Sequence, residues 1–363
     1  MTSREQQILE WIKQNPMISQ NELANLAGIT RSGVAAHISN LVKKGYLQGK
    51  GYVITPPRYI TVIGGVNMDI LGISRETVTS PSSYPGKIYN KLGGVGRNVA
   101  VNLSKIGVQT FLVSAYGDDR NGEIFKEDAL DNQVDISHSQ QVGGASTSMY
   151  LYVNQPHGER VLGIDDMEIN THISPEFLRG QEQTINNSEL VILDSNLPKR
   201  SIKWLYNNVH VPIFAKAVGL NKMMNLYDGM GRLDTLVING VEAAALTKMK
   251  IYDEQSARQG GQRLLERGVK NVFLYMEGIG VLYQSMTASY FFSDNEQSPR
   301  NTNGAGASAT AALAWARMQH QSFLESGKAG VAAAYITTES YEAVNPDIDA
   351  ELLTSVQKRI VAD

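Results

Sequence analysis

Asn301-Thr302-Asn303-Gly304-Ala305-Gly306-Ala307-Ser308-Ala309 runs directly into Thr310-Ala311-Ala312-Leu313-Ala314-Trp315. Glycines on either side of one alanine, then an alanine-rich run without proline, predict a tight loop opening a helix. Glycine admits positive φ and lets the backbone approach a ligand closely. The first turn of a helix carries unpaired N–H groups and the positive end of its dipole, which favours an anion. Plain helix–sheet packing uses the same small residues, so this stretch alone leaves both readings open.

Working outward, buried strand patterns alternate with amphipathic helical ones from Tyr59 onward. Strands are expected at Ile60–Gly64, Thr110–Ser114, Leu190–Asp194, Val211–Phe214, Thr235–Ile238 and Val272–Tyr275. Helices are expected near 97–106, 121–132, 199–207, 240–247 and 254–267. That alternation predicts an α/β fold, a doubly wound, mainly parallel sheet with helices on both faces. Ligands in such folds sit beyond the carboxyl ends of the strands. Met149–Val153 and Arg160–Ile164 have no helix between them and read as a hairpin.

Residues 1–54 form a separate pattern. Ser3 is placed to cap a helix with Ile8, Leu9 and Ile12 inside, which Pro16 stops. Ser19-Gln20-Asn21-Glu22 is a capping-box arrangement for a second helix carrying Leu23, Ala24 and Leu26, ended by Gly28. Thr30 caps a third with Val34, Ile38 and Leu41 inside and Arg31, Ser32, His37, Asn40 and Lys44 mostly outside. Tyr46–Ile54 reads as two short strands around a Gly-Lys-Gly turn, and 55–58 as a stiff linker. The pattern resembles a winged helix-turn-helix, which implies DNA contacts from Arg31, Ser32, Asn40, Lys44 and Lys50. A helical module for dimerisation or interdomain packing remains the alternative. The first fifty residues carry six Lys/Arg against three Glu. So few phosphate contacts imply weak, salt-sensitive binding by a monomer, and a homodimer on a two-fold site is expected.

Composition sets outer bounds. The chain has 363 residues, 42% hydrophobic and 19% charged, with a net charge of -3, which excludes a bulk polycation and suits an α/β protein. No run of 18 apolar residues is present, so no membrane span is expected. The N-terminus lacks the apolar core of a secretion signal. Without cysteine there are no disulfides or thiolate metal sites, and a cytoplasmic location is expected.

Three further motifs bear on chemistry. Asn67-Met68-Asp69 follows the first strand of the second region, where a carboxylate could take hydrogen bonds from vicinal hydroxyls or simply cap its own turn. Gly93-Gly94-Val95-Gly96-Arg97-Asn98 places glycines before a helix with Asn98 in its first turn. Asn239-Gly240-Val241-Glu242 puts a carboxylate at a helix start, where it could position Mg²⁺ through water or serve the helix dipole.

Together these motifs resemble the PfkB/ribokinase family of sugar and nucleoside kinases over about residues 59–350. The resemblance implies a ribokinase-like domain over 59–363, with a small β lid from strands near 67–92 and 146–165. It implies hydroxyl-binding roles for Asp69, Gly94 and Asn98, and an anion hole from Gly304, Ala305 and Gly306. Asn239 and Glu242 would serve ATP and Mg²⁺, with a monovalent cation as a further candidate. Ser83–Lys87, Ala145–Ser148 and Ile164-Asp165-Asp166-Met167 look more specifically like pseudouridine kinases, which adds Asp166 as a ligand contact.

The chain departs from the family where the reaction needs chemistry. The signature usually written D-T-x-G-A-G-D ends in the base that deprotonates the substrate hydroxyl, and that position is Ala307 here. The family's strand-end D-P is Lys216-Ala217, its Lys-Pro before N-x-x-E is Val237-Ile238, and its T-x-G aligns with Tyr275-Met276-Glu277. Sugar-side motifs stand nearly whole while nucleotide-side and catalytic positions are altered. Losing a general base costs ~10²–10⁴-fold. Two functions stay open. One is a kinase scaffold with impaired ATP-dependent phosphorylation of a ribose 5′-hydroxyl, fused to a DNA-binding module. The other is a pseudokinase regulator that senses a ribosyl nucleoside or sugar without catalysis.

Overall fold

The computed structural model describes residues 1–48, 53–54, 58–157, 159–293 and 302–363, with the side chains of 48, 53 and 54 left aside. The chain divides into two compact units, Met1–Arg58 and Tyr59–Asp363.

In the first unit, α1 (Ser3–Gln14), α2 (Gln20–Ala27) and α3 (Arg31–Lys43) precede a strand pair, β1 (Leu47–Gln48) and β2 (Val53–Ile54). Ile8, Ile12, Leu23, Val34 and Leu41 are fully buried between the helices, as the helical spacing of these residues requires. Ser19 and Glu22 form the reciprocal capping box, and Thr30 caps α3. The cap of α1 is Thr2 and not Ser3: Thr2 accepts from the Glu5 amide, and Glu5 reaches back to the Thr2 amide. Leu26, expected inside, is exposed. The Gly-Lys-Gly turn and most of the linker lie outside the described residues.

The second unit begins with β3 (Tyr59–Ile63), β4 (Asn67–Ser74), β5 (Gly86–Gly93), α4 (Val95–Lys105), β6 (Gln109–Val113) and β7 (Ala115–Gly117). It continues through α5 (Arg120–Asp131), β8 (Gln140–Val142), β9 (Met149–Asn154), β10 (Arg160–Asp166), α6 (Pro175–Gly180), α7 (Glu182–Asn186) and β11 (Leu190–Asp194). Then follow α8 (Lys199–Asn208), β12 (Ile213–Lys216), β13 (Leu233–Asn239), α9 (Gly240–Thr247), α10 (Glu254–Glu266) and β14 (Asn271–Met276). The chain closes with β15 (Gly280–Ser285), β16 (Ser289–Ser293), α11 (Ala305–Met318), α12 (Phe323–Thr338) and α13 (Ala350–Gln357).

An eight-stranded sheet runs in the order β16-β15-β14-β13-β12-β11-β3-β6. It is parallel from β14 to β6, and β15 and β16 add to its edge antiparallel. Alternate strand residues feed opposite layers: Leu190 and Ile192 pack with α4, α11 and α12, while Val191 and Leu193 pack with α8 to α10. This is the period-2 consequence of a sheet buried on both faces. The expected strand at 211–214 is displaced to Ile213–Lys216; Pro212 has no N–H to donate to the ladder, and the strand runs on to Lys216 beside Asp194. A second sheet, β10-β9-β4-β5, contains the expected hairpin and both of the expected lid segments.

The sheet changes winding direction at β3, since β6 pairs on one side of it and β11 on the other. Open α/β sheets place their crevice at such a switch point. Among the described residues, no helix is long and apolar enough to cross a membrane.

Candidate functional site

The carboxyl edge of the large sheet sets four polar side chains in register. Asp194 pairs with Lys216 across β11 and β12, and Asn239 pairs with Tyr275 across β13 and β14. The N-terminus of α11 meets this edge. Gly304 is its N-cap at φ +89, and a Cβ there would lie 1.8 Å from the Ala343 carbonyl oxygen, so both conformation and space demand glycine. A Cβ on Gly306 would lie 2.5 Å from Lys216 Cε, 3.0 Å from the Tyr275 hydroxyl and 3.4 Å from Lys216 Nζ. The loop therefore sits directly against the lysine. Ala307, in the first turn of α11, is 4% exposed and belongs to an apolar cluster with Ala311 and Leu313.

Lys216 is 6% exposed. Its ammonium donates to the Ala217 carbonyl and lies 5.3 Å from the centroid of the Tyr275 ring. Burial pushes this ammonium down, but Tyr275, Glu242 and Asp194 more than offset that and hold it above its ordinary value. Asp194 is fully enclosed, and burial raises it against the opposing amides of Asn196 at 2.7 Å and Gly65 at 3.2 Å.

Glu242 is buried in the capping box of α9. One of its oxygens accepts from the Asn239 amide at 3.1 Å and the other from the Gly219 amide at 2.8 Å. Both oxygens are committed to backbone, and the neighbouring buried side chain is an ammonium, so this donor set suits a resident Mg²⁺ poorly. Glu277 is exposed in the turn after β14, and the groups nearest Gly306 are Lys216 and Tyr275 instead.

On the other side of the crevice, Asp69 lies on β4 and accepts from Asn67 Nδ2 at 2.6 Å. Burial pushes its carboxyl up to about 6, against the hydrogen bond from Asn67 and the charge of Arg160. The absence of a side chain on Gly93 leaves room for it, because a Cβ there would lie 2.4 Å from Asp69 Oδ2. Gly94, at φ +100, passes so close to Gly65 that a Cβ would fall 2.5 Å from the Gly65 carbonyl oxygen. Asn98 is buried in the first turn of α4, and its oxygen accepts from Arg97 Nη1 at 3.1 Å.

The second sheet connects the two sides. Tyr152 on β9 lies within electrostatic reach of Asp69 and of Asn303, the residue before Gly304. Arg160 stacks over the Tyr152 ring at 5.0 Å and donates to the Tyr150 hydroxyl at 2.9 Å. Tyr152 thus lies between Asp69 and the start of the α11 loop. A cavity of ≈ 420 Å³ is lined by residues including Asp166, Asn170, Asn196, Lys222 and Asn225. The buried Asn170 Oδ1 has no hydrogen-bond partner among the described residues. Asp166 is exposed, and its neighbour Asp165 is tied to Lys222 at 2.6 Å.

In the first unit, Arg31, Ser32 and Asn40 are exposed on α3, and His37 is half-buried. Lys44 is ion-paired with the buried Glu5 at 2.7 Å, so its charge is already balanced. Lys50 lies outside the described residues. Sequence reading noted Lys216 and Tyr275 only as departures from a motif and did not single out Asp194, Tyr152, Arg160 or Asn170. The strand-end position of Asp194 and Lys216 was the available signal.

The sequence profile of the pfkB family carbohydrate kinases matches residues 57–350, and that of a winged helix-turn-helix DNA-binding module matches residues 1–48. The uncharacterized sugar kinase YeiI of Escherichia coli K12 is 31% identical over 356 residues, covering 97% of this chain and 98% of the relative. The pseudouridine kinase of Escherichia coli K12 is 28% identical over 292 residues, covering 80% of this chain and 93% of that one. A putative sugar kinase from Clostridium perfringens superposes with a TM-score of 0.73 at 24% identity, over 85% of this chain and 98% of the other. Arabidopsis thaliana ribokinase complexed with ribose and ATP gives 0.72 at 21% identity, over 83% and 99%. The last two likenesses bear on the fold alone.

Proposed function

The chain belongs to the pfkB family of carbohydrate kinases, with a winged helix-turn-helix ahead of the kinase unit, and from that premise we propose a ribosyl-binding regulator whose phosphoryl transfer is impaired. Family membership implies ATP use, and bound ATP would supply the phosphoryl group. The observation that carries the proposal is Ala307. A methyl group, buried among apolar neighbours, stands where the reaction needs a proton acceptor.

Ligand binding needs none of the altered groups. Asp69 accepts hydrogen bonds from vicinal ribose hydroxyls while Asn67 fixes its orientation. Gly94 and Asn98 close the same side, and Tyr152 with Arg160 covers the ligand from the lid and excludes water. A nucleobase of the pseudouridine type would extend into the cavity, where Asp166 and Asn196 meet its polar edge. Gly304, Ala305 and Gly306 direct their amides at the 5′ end of the ribose. The exposed Arg31, Ser32 and Asn40 of α3 face DNA, as recognition helices do. The DNA site would be two-fold and the protein a homodimer. The exposed Ile88, Leu162 and Ile164 of the lid strands offer an apolar surface for that association. A cytoplasmic location goes with this role.

The experiment is calorimetry with pseudouridine, uridine, inosine and ribose, each with and without ATP, followed by a coupled kinase assay on wild type and Ala307→Asp. Binding of a ribosyl compound with slow or no turnover, and turnover raised by ~10²-fold or more in the variant, is expected. Wild-type turnover at ordinary kinase rates, ~1–100 s⁻¹, would refute the impairment.

A further inference from the structure

We propose that Lys216 makes the space beside the α11 N-terminus a receptor for a phosphate monoester, so that the ligand sensed is a phosphorylated ribosyl compound and not its neutral precursor. This rests on the ribosyl-binding reading above.

Two independent observations meet at one place. The first is the α11 turn, where Gly304, Ala305 and Gly306 present helix N-terminal amides that no side-chain cap occupies. The second is the enclosed ammonium of Lys216, whose Nζ lies 3.4 Å from where a Cβ on Gly306 would stand. An ammonium has three N–H donors. One goes to the Ala217 carbonyl, and the Tyr275 ring centroid lies 5.3 Å from Nζ. Among the described residues the other two have no hydrogen-bond acceptor, and no carboxylate lies within ion-pair distance of Nζ. The two acidic neighbours are turned to backbone: Asp194 to the amides of Asn196 and Gly65, Glu242 to those of Gly219 and Asn239. The surrounding groups keep Lys216 charged, and its uncommitted N–H donors are open to an anionic ligand.

Ala307 acts in the same direction. A carboxylate in the first turn of α11 would repel a phosphate monoester, which carries about -1.5 to -2 charges near pH 7. A methyl group removes that repulsion. The position that leaves a substrate hydroxyl without a base therefore also favours holding the phosphorylated form. Asp69 keeps the ribose end, and Tyr152, between Asp69 and Asn303, joins the two ends of one site.

The test is calorimetry on the full chain with ribose against ribose 5-phosphate, and pseudouridine against its 5′-monophosphate. Inorganic phosphate and ATP form separate arms, and the proteins are wild type, Lys216→Met and Asp69→Asn, each checked by circular dichroism. Wild type should bind each monophosphate at least about tenfold more tightly than its neutral partner. Lys216→Met should shrink that ratio to within about threefold. Asp69→Asn should weaken both partners alike. Should Lys216→Met misfold, Lys216→Gln carries the same comparison, and the wild-type ratio is decisive without either. Equal or tighter binding of the neutral compound overturns this inference and leaves the ribosyl reading standing. So does a preference that survives loss of the ammonium, or Lys216-dependent binding of ATP with none of ribose 5-phosphate. No binding of any ribosyl compound overturns the ribosyl reading and this inference with it.

Discussion

Asp69→Asn separates the cost of keeping a carboxylate in the cleft from its use. The carboxyl moves from an ordinary 3.8 to about 6 because burial strips it of water, with the Asn67 amide and Arg160 giving back part of the loss. That displacement corresponds to about 3 kcal/mol in disfavour of the ionised native state. Asp69 is only partly enclosed, and solvent screening brings the expected cost to about 1–2 kcal/mol. The sign follows from the raised value. Below pH 3.8 the group is protonated in folded and unfolded chains alike and costs nothing. The penalty opens as pH rises from about 4, and it is complete above about 7. Asn keeps the oxygen that accepts from Asn67 and removes the charge. The variant should therefore match the wild type near pH 4 and melt higher by about 2–5 °C near pH 8, read by calorimetric melting without ligand. The same change should weaken a ribosyl ligand by about 10- to 100-fold, since a charge-assisted hydrogen bond is lost. A gap of equal size at both pH values, or a lower melting temperature near pH 8, would show that Asp69 is not held against its own ionisation.

Gly304→Ala should destabilise the second unit by more than about 2 kcal/mol in denaturant melts, because left-handed backbone and the Ala343 carbonyl both oppose a side chain there. A neutral result would mean that the α11 loop relaxes freely. In the first unit, Arg31→Ala should weaken DNA binding and reduce its salt slope by about one. Lys44→Met should change that slope less, because the Lys44 charge is already spent on Glu5; equal slopes in gel-shift titrations would count against that difference.

Much of the fold was legible because its signals are local. A strand buried on both faces must read as a continuous apolar run, as Leu190 to Leu193 does, and the expected helices near 199–207 and 240–247 formed as α8 and α9. The edge strands β15 and β16 and the helices α12 and α13 were missed. The small residues of α12 take their meaning from packing against α11, where Gly330 meets Leu313 and Phe273. The Thr2 cap was missed because Ser3 is an equally good oxygen acceptor one residue along, and only Glu5 turning back decides between them.

The site divides along the same line. The amino-acid sequence alone determined the glycines that permit close approach, the carboxylate at Asp69 and the alanine at 307, since each is a matter of which atoms a residue possesses. Tertiary structure decided what surrounds them. Parallel pairing sets Lys216 beside Asp194, α11 brings Gly306 against that lysine from some ninety residues further along the chain, and Asn303 reaches Tyr152 of the lid. Charge and burial at such a point come from chain segments far apart in sequence, so no local pattern could report them.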